Sequence, residues 1–241
     1  MAGHSKWAQI KHRKSITDAK KGQLFSKLIR EIKVAVRNGG PKIETNHRLR
    51  QAAERAQSQG LPKDNIERAI NRAVGTDEGK SLQDFLYEAT AAGGIAIIIE
   101  GITDSKNRTL AEIKHLLNKH GAKLAESGSL IWNFEKIGLV EMSQEENAQK
   151  SRDEIEMTIL ESGARDFQHI NETCLVETDF AKVDKVRQKL ESDGLKIKEV
   201  YHDYKTRLPL ELTEKAKKDA ETLLEELSSH NDVQEIYTNI K

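Results

Sequence analysis

The sequence predicts an α+β protein: an N-terminal all-α helical domain over residues 1–79, then two α/β domains. The second of these, ferredoxin-like (βαββαβ) over residues 135–205, is inserted into the first, residues 80–134 plus 206–241. Three observations carry that prediction. Apolar positions before residue 75 recur at three- and four-residue steps. After residue 82 they switch to alternation and short apolar runs. From 137 to 201 the elements follow the order strand, helix, strand, strand, helix, strand.

In residues 23–38, Leu24, Leu28, Ile32 and Val36 share one helical face, and Gly39-Gly40-Pro41 stops the helix. A second helix follows Thr45 through Leu49, Ala52, Ala53 and Ala56, ending at Gly60. Asp64 is expected to cap a third, with Glu67 completing the box and Ile66, Ala69 and Ile70 on its core face. Residues 75–80 read as a polar linker. Beyond it, Phe85, Tyr87 and Ala89 alternate with polar residues, 94–100 is a buried-type strand, and 107–120 is a helix closed by Gly121. Residues 130–134 read as a strand. The inserted unit comprises strand 137–142, helix 144–161, strands 165–170 and 174–178, helix 180–192 and strand 196–201. A helix at 213–227 and a strand at 233–238 cannot bury an apolar face alone. Joined to the elements before residue 135, they complete the discontinuous domain.

Charge is segregated. The chain carries 39 Lys and Arg and 39 Asp and Glu, yet the first 75 residues hold 17 basic against 6 acidic side chains, a balance of +11 that leaves −11 for the rest. Such asymmetry points to a polyanion as the partner of the first part, and to protein partners for the acidic α/β domains. The candidate phosphate ligands begin in the N-terminal arm with Lys6, Lys11, Arg13, Lys14, Lys20 and Lys21. His4, Ser5 and His12 are polar neighbours there, and Trp7 offers a ring for base stacking or for packing on the bundle. Lys27, Arg30, Lys33 and Arg37 form a stripe opposite the Leu24–Val36 core face, and Arg48, Arg50, Arg55, Lys63, Arg68 and Arg72 extend the cationic surface. Cations at phosphates give affinity and orientation but read no sequence.

Catalytic and metal-site patterns find no match. The eight histidines include no HExxH pair, and one cysteine cannot build a thiolate zinc site. The glycine pairs Gly39-Gly40 and Gly93-Gly94 lie outside any phosphate-loop pattern. Ser127-Gly128-Ser129 lacks the setting of a nucleophile elbow. Tyr201-His202-Asp203-Tyr204 is the one cluster suited to acid–base work, and a strand end explains it equally well. No metal or cofactor is expected, and no enzymatic activity. No apolar run approaches a membrane span, and the N-terminus has no apolar core of a secretory signal. Lone Cys174 fits a reducing, cytoplasmic compartment.

The segments MAGHSKWAQIKHRK, FSKLIREIKVAVRNGG, NHRLRQAAERAQSQGLPKDNIERAI and the closing YTNIK resemble the YebC/PmpR family, which includes the mitochondrial translational activator of cytochrome c oxidase. The resemblance spans the chain and implies a cytoplasmic, non-enzymatic regulator of gene expression. It implies either a DNA-binding transcriptional regulator or a factor that acts at the ribosome, on ribosomal RNA, to relieve stalling at proline-rich stretches. It also implies that residues 3–14 touch nucleic acid. A protein-interaction adaptor is the other class compatible with the chain. The chain departs from the family pattern at Pro41-Lys42, at Asn46-His47 (usually Asn-Pro) and at Leu61 (usually Met), all in turns or packing positions.

Overall fold

The computed structural model describes residues 18–75 and 82–241. Among these, two compact units are distinguished: residues up to Ala56, Leu61–Glu135 and Tyr204–Lys241 form one, and Gln57–Gly60 with Lys136–Asp203 the other. No helix among the described residues is long and apolar enough to cross a membrane.

The first unit opens with three helices, α1 (Asp18–Gly39), α2 (His47–Ser58) and α3 (Lys63–Gly75). Their shared core is Leu28, Ile32, Ala35, Leu49, Ala52, Ala56, Ile66 and Ala69. The alanines let the helices approach closely, as their spacing predicts. The corner between α1 and α2 is fixed by Asn46, which is buried. Its Nδ2 donates to the carbonyls of Ala35 and Gly40, both at 2.7 Å, and its Oδ1 accepts the Leu49 N–H at 3.0 Å. Asn46 is therefore the N-cap of α2, and His47 stands at the first helical position, where proline is otherwise favoured. The third helix begins at Lys63, with the Pro62 carbonyl accepting from Asn65 and Ile66 at 2.9 and 3.2 Å. Asp64 thus lies inside the first turn, where its charge suits the helix dipole, instead of capping it.

The first sheet has the order β3-β1-β2-β8, from β1 (Gln83–Ala91), β2 (Ile95–Thr103), β3 (Lys123–Leu124) and β8 (Val233–Thr238). Central β2 is buried on both faces, which accounts for its unbroken apolar run. Ile95, Ile97 and Ile99 meet α4 (Lys106–Lys119) and α7 (Glu214–Ser228) through Ile113, Leu117, Leu223 and Leu227. On the opposite face Ala96 and Ile98 meet Phe134, Tyr204 and Tyr237.

The second unit has the sheet order β5-β6-β4-β7, from β4 (Phe134–Ser143), β5 (Asp166–Ile170), β6 (Thr173–Asp179) and β7 (Glu199–Thr206). With α5 (Arg152–Glu161) between β4 and β5 and α6 (Val183–Ser192) between β6 and β7, this is the split βαββαβ arrangement. Val140, Met142, Cys174 and Val176 pack beneath Ile155, Ile159, Val186 and Leu190. The helix expected over 144–161 is broken. A 3₁₀ turn at Glu145–Asn147 precedes α5, which starts at a capping box made by Ser151 and Glu154. Asn147 holds the break in place, bonding the Ser143 carbonyl and both backbone groups of Lys196. The strand expected at 130–134 is a 3₁₀ turn, Ile131–Asn133, and β4 starts only at Phe134.

Gly101, opposite Phe85 in the β1–β2 register, is a point of close approach: a Cβ there would stand 2.2 Å from the Asp232 carbonyl oxygen and 2.3 Å from the Phe85 ring. Gly101→Ala is expected to destabilise the fold by about 3 kcal/mol through overpacking. Gly22→Ala in α1, with nothing within 4 Å of a new Cβ, is expected to stabilise it by about 1 kcal/mol. Urea unfolding of both variants checks the pair.

Candidate nucleic-acid interface

The arm residues His4, Ser5, Lys6, Trp7, Lys11, His12, Arg13 and Lys14 lie outside the described residues, as does the Lys20 side chain. The remaining predicted cations divide into two sets. In the first, the side chains are engaged by the sheet that shares their unit. Lys27 Nζ donates to the Ser228 carbonyl at 2.7 Å, and the Gln23 amide donates to the Ser229 carbonyl. Both carbonyls lie at the C-terminal end of α7, where the orphan C=O groups and the negative end of the helix dipole favour donors and cations. One turn further along α1, Arg30 Nη1 pairs with Asp232 Oδ1 at 2.5 Å and also reaches the Asn231 carbonyl at 3.2 Å. Arg48 binds Asp84 in a two-pronged pair, at 2.8 and 2.6 Å. Arg55 lies between Glu235 and Glu31.

Asp232 is the centre of this contact. It is 2% exposed and accepts from Thr109 (2.7 Å), Thr103 (3.2 Å), Arg108 (2.6 Å) and Arg30 (2.5 Å). Burial pushes its carboxyl up, but hydrogen bonds from Thr109, Arg30 and Arg108 outweigh that and hold it down at about 2. Beside it, His230 Nδ1 accepts the Asp232 N–H at 3.1 Å, so Nε2 carries the proton that it shares with Glu112 at 2.9 Å. Glu112, His230 and Asp232 come within metal-binding reach of one another, yet each is already matched inside the protein.

The second set is turned to solvent. Arg37, Lys42, Lys63, Arg68 and Arg72 are exposed, and Lys33 and Arg50 are half-buried. Among the described residues the side chains of Lys33, Arg37 and Arg50 form no hydrogen bond or ion pair. Arg68 reaches its own helix, at the Asp64 carbonyl and Asn65. Lys21 lies 5.7 Å from the centre of the Phe25 ring. The basic stripe expected along α1 is therefore split: its first half docks on the end of α7 and its second half is open. Nothing in the helical pattern distinguishes Lys27 and Arg30 from Lys33 and Arg37, because their partners lie some 200 residues away in the sequence.

Two further side chains that the sequence singles out, Cys174 and Tyr204, lie in buried surroundings. Cys174 is buried, and burial first, then the nearby Glu156 carboxylate, pushes its thiol up to about 11, which disfavours the thiolate. Tyr204 gives its hydroxyl to Glu100 at 3.1 Å, and burial raises it far above the usual phenol range.

A basic three-helix bundle fixed onto a sheet domain, together with a split βαββαβ unit, defines a multidomain α+β protein with a cationic helical module. The family models place it further. The TACO1/YebC protein N-terminal domain matches residues 5–76, and the TACO1/YebC second and third domain matches residues 82–240. The chain belongs to the TACO1/YebC family. A relative in Thermotoga maritima is 45% identical over 100% of this chain and 94% of its own, and one in Nitratiruptor sp. is 41% identical over 100% of both. A third in Thermomicrobium roseum is 42% identical over 99% of this chain and 96% of its own. Each is named a probable transcriptional regulatory protein. The crystal structure of a conserved hypothetical protein from Aquifex aeolicus superposes with a TM-score of 0.86 at 38% identity, covering 98% of this chain and 97% of that one.

Asp232→Asn is expected to cost about 3 kcal/mol at neutral pH, since it leaves two guanidiniums short of their counter-charge. The native carboxyl is depressed below its usual 3.8, so its contribution is full above pH 4 and fades as pH falls through about 2. Urea midpoints of the two proteins should therefore differ widely at pH 7 and converge towards pH 2.

Proposed function

We infer that the chain is a nucleic-acid-binding regulator of gene expression, working as a DNA-binding transcriptional regulator in the cytoplasm and without catalysis. The observation that carries this is the open half of the basic stripe. Lys33, Arg37 and Arg50 have no counter-charge among the described residues, in the segment that concentrates a +11 balance. The names given to the relatives support the same role. The N-terminal arm, outside the described residues, carries Lys6, Lys11, Arg13 and Lys14 as further phosphate ligands in the sequence, with Trp7 as a ring suited to stacking. Such contacts bind phosphates without reading bases, so affinity must depend steeply on salt. The acidic remainder of the chain offers contacts to protein partners instead of a second phosphate surface.

Lys33→Glu with Arg37→Glu is expected to weaken duplex DNA binding by at least tenfold and to leave the unfolding midpoint nearly unchanged. Arg30→Glu should lower the midpoint, because it opposes Asp232. For the unaltered protein, six phosphate contacts give a slope of log K against log salt near −5, and each lost contact removes about 1 from its magnitude. Salt-titrated anisotropy checks these values, run beside co-sedimentation with ribosomes. Retention on ribosomes at salt concentrations that abolish DNA binding would overturn the transcriptional assignment in favour of ribosomal RNA.

A further inference from the structure

The loop between β3 and β4 is hydrogen-bonded along its length to one buried residue. Glu88 on β1 is 3% exposed, and its carboxylate accepts three backbone N–H groups: Gly128 at 2.5 Å, Leu130 at 2.6 Å and Ile131 at 2.9 Å. Its own carbonyl takes a fourth, from Ala125 at 2.8 Å. A buried carboxylate is costly unless every lone pair is matched, and here the matching groups all belong to one loop. At the tip stands Trp132, 57% exposed, with its indole N–H donated to the Ser129 carbonyl at 2.7 Å. A large ring is thus held out to solvent with its single donor already used, so it has only its apolar faces to offer.

A second strand of chain is bound to the same point. Buried Asn133 accepts the Arg207 N–H on its carbonyl at 2.8 Å and the Leu208 N–H on its Oδ1 at 2.9 Å. Arg207 is exposed, and Leu208 is 58% exposed. No ion pair engages Arg207 among the described residues. Through Asn133 the backbone thus brings the residue that carries a flat ring next to those that carry a guanidinium and an aliphatic side chain, all three exposed.

We propose that Trp132, Arg207 and Leu208 form a contact for unpaired nucleic acid, with a base stacked on the indole and the adjoining phosphate held by the guanidinium. One ring and one leucine fall far short of the roughly 800 Å² a side of a stable protein interface. They match the footprint of one or two bases, and aromatic stacking is the usual means of holding single strands without reading them. Stacked bases inside a duplex expose no face to the ring, so this contact selects single-stranded over double-stranded partners. It stands beside the phosphate contacts of the helical bundle and does not rest on them.

The test uses the full chain, an unstructured oligouridylate and a DNA duplex of equal length at one salt concentration. In a Trp7→Phe protein, Trp132 is the remaining tryptophan of the two in the sequence. Its emission is expected to be quenched by oligouridylate and not by duplex. With Trp7 restored, Trp132→Ala should weaken oligouridylate binding about ten- to hundredfold, with duplex affinity within twofold of the parent. Trp132→Phe should retain most of the affinity, and Arg207→Gln should reduce the single-strand salt slope by about 0.7. Unquenched emission, or equal losses on both ligands, overturns the proposal, as does protection of Trp132 by a protein partner alone. If Lys33→Glu with Arg37→Glu leaves duplex binding intact while quenching persists, the bundle assignment fails and this one stands.

Discussion

Asp232 organises the first unit because it is a buried negative charge in a turn that three elements must approach. It follows α7, precedes β8 and lies against the start of α4, whose Thr109 and Arg108 it holds. A carboxylate in that position is tolerable only if hydrogen bonds and cations surround it. Arg30 supplies the part that comes from the helical bundle. The bundle is thereby tied to the sheet by a buried charge that Arg30 shares with Arg108.

The ties around Asp232 differ in kind. The bond from Lys27 to the Ser228 carbonyl, and that from Gln23 to the Ser229 carbonyl, are directed at the end of a helix, where orphan carbonyls need donors in any case. The Arg48–Asp84 pair is largely solvated and contributes little to stability, though its two-pronged geometry fixes an angle. Backbone constraint adds to these, since Gly101 lets the Asp232 carbonyl and the Phe85 ring come closer than any side chain would permit. Position is thus determined by one buried charge and refined by several weaker contacts.

The parts of the fold governed by short-range pattern were legible in the sequence. The three helical faces, the doubly buried run of β2 and the βαββαβ order follow from periodicity and from glycine and proline placement. The errors fell where a single polar side chain overrides that pattern. Asn147 breaks a helix that the apolar spacing would continue, although Ser151 and Glu154 already announce the new start. Glu88 pulls residues 128–131 into a turn where Leu130, Ile131 and Trp132 look like a strand. The same limit applies to the candidate site. Basic residues are visible in the sequence, but whether each meets a carboxylate depends on chain brought in from 200 residues away, as Arg30 and Asp232 show.

The division of the basic stripe has a consequence for how the bundle presents its remaining charge. A cation paired with a buried carboxylate is a poor ligand for phosphate, because exchanging partners would leave the carboxylate uncompensated in a low-dielectric site. Arg30 therefore serves as an anchor, and the cations of this stripe left unpaired among the described residues are those further along α1, Lys33 and Arg37, with Arg50. Since α1 is a continuous helix from Asp18 to Gly39, fixing its first half against the sheet also fixes the direction in which its second half displays charge. Orientation of the open cations is then a property of the docked unit as a whole, and a bundle freed from Asp232 would retain the charges but not their aim.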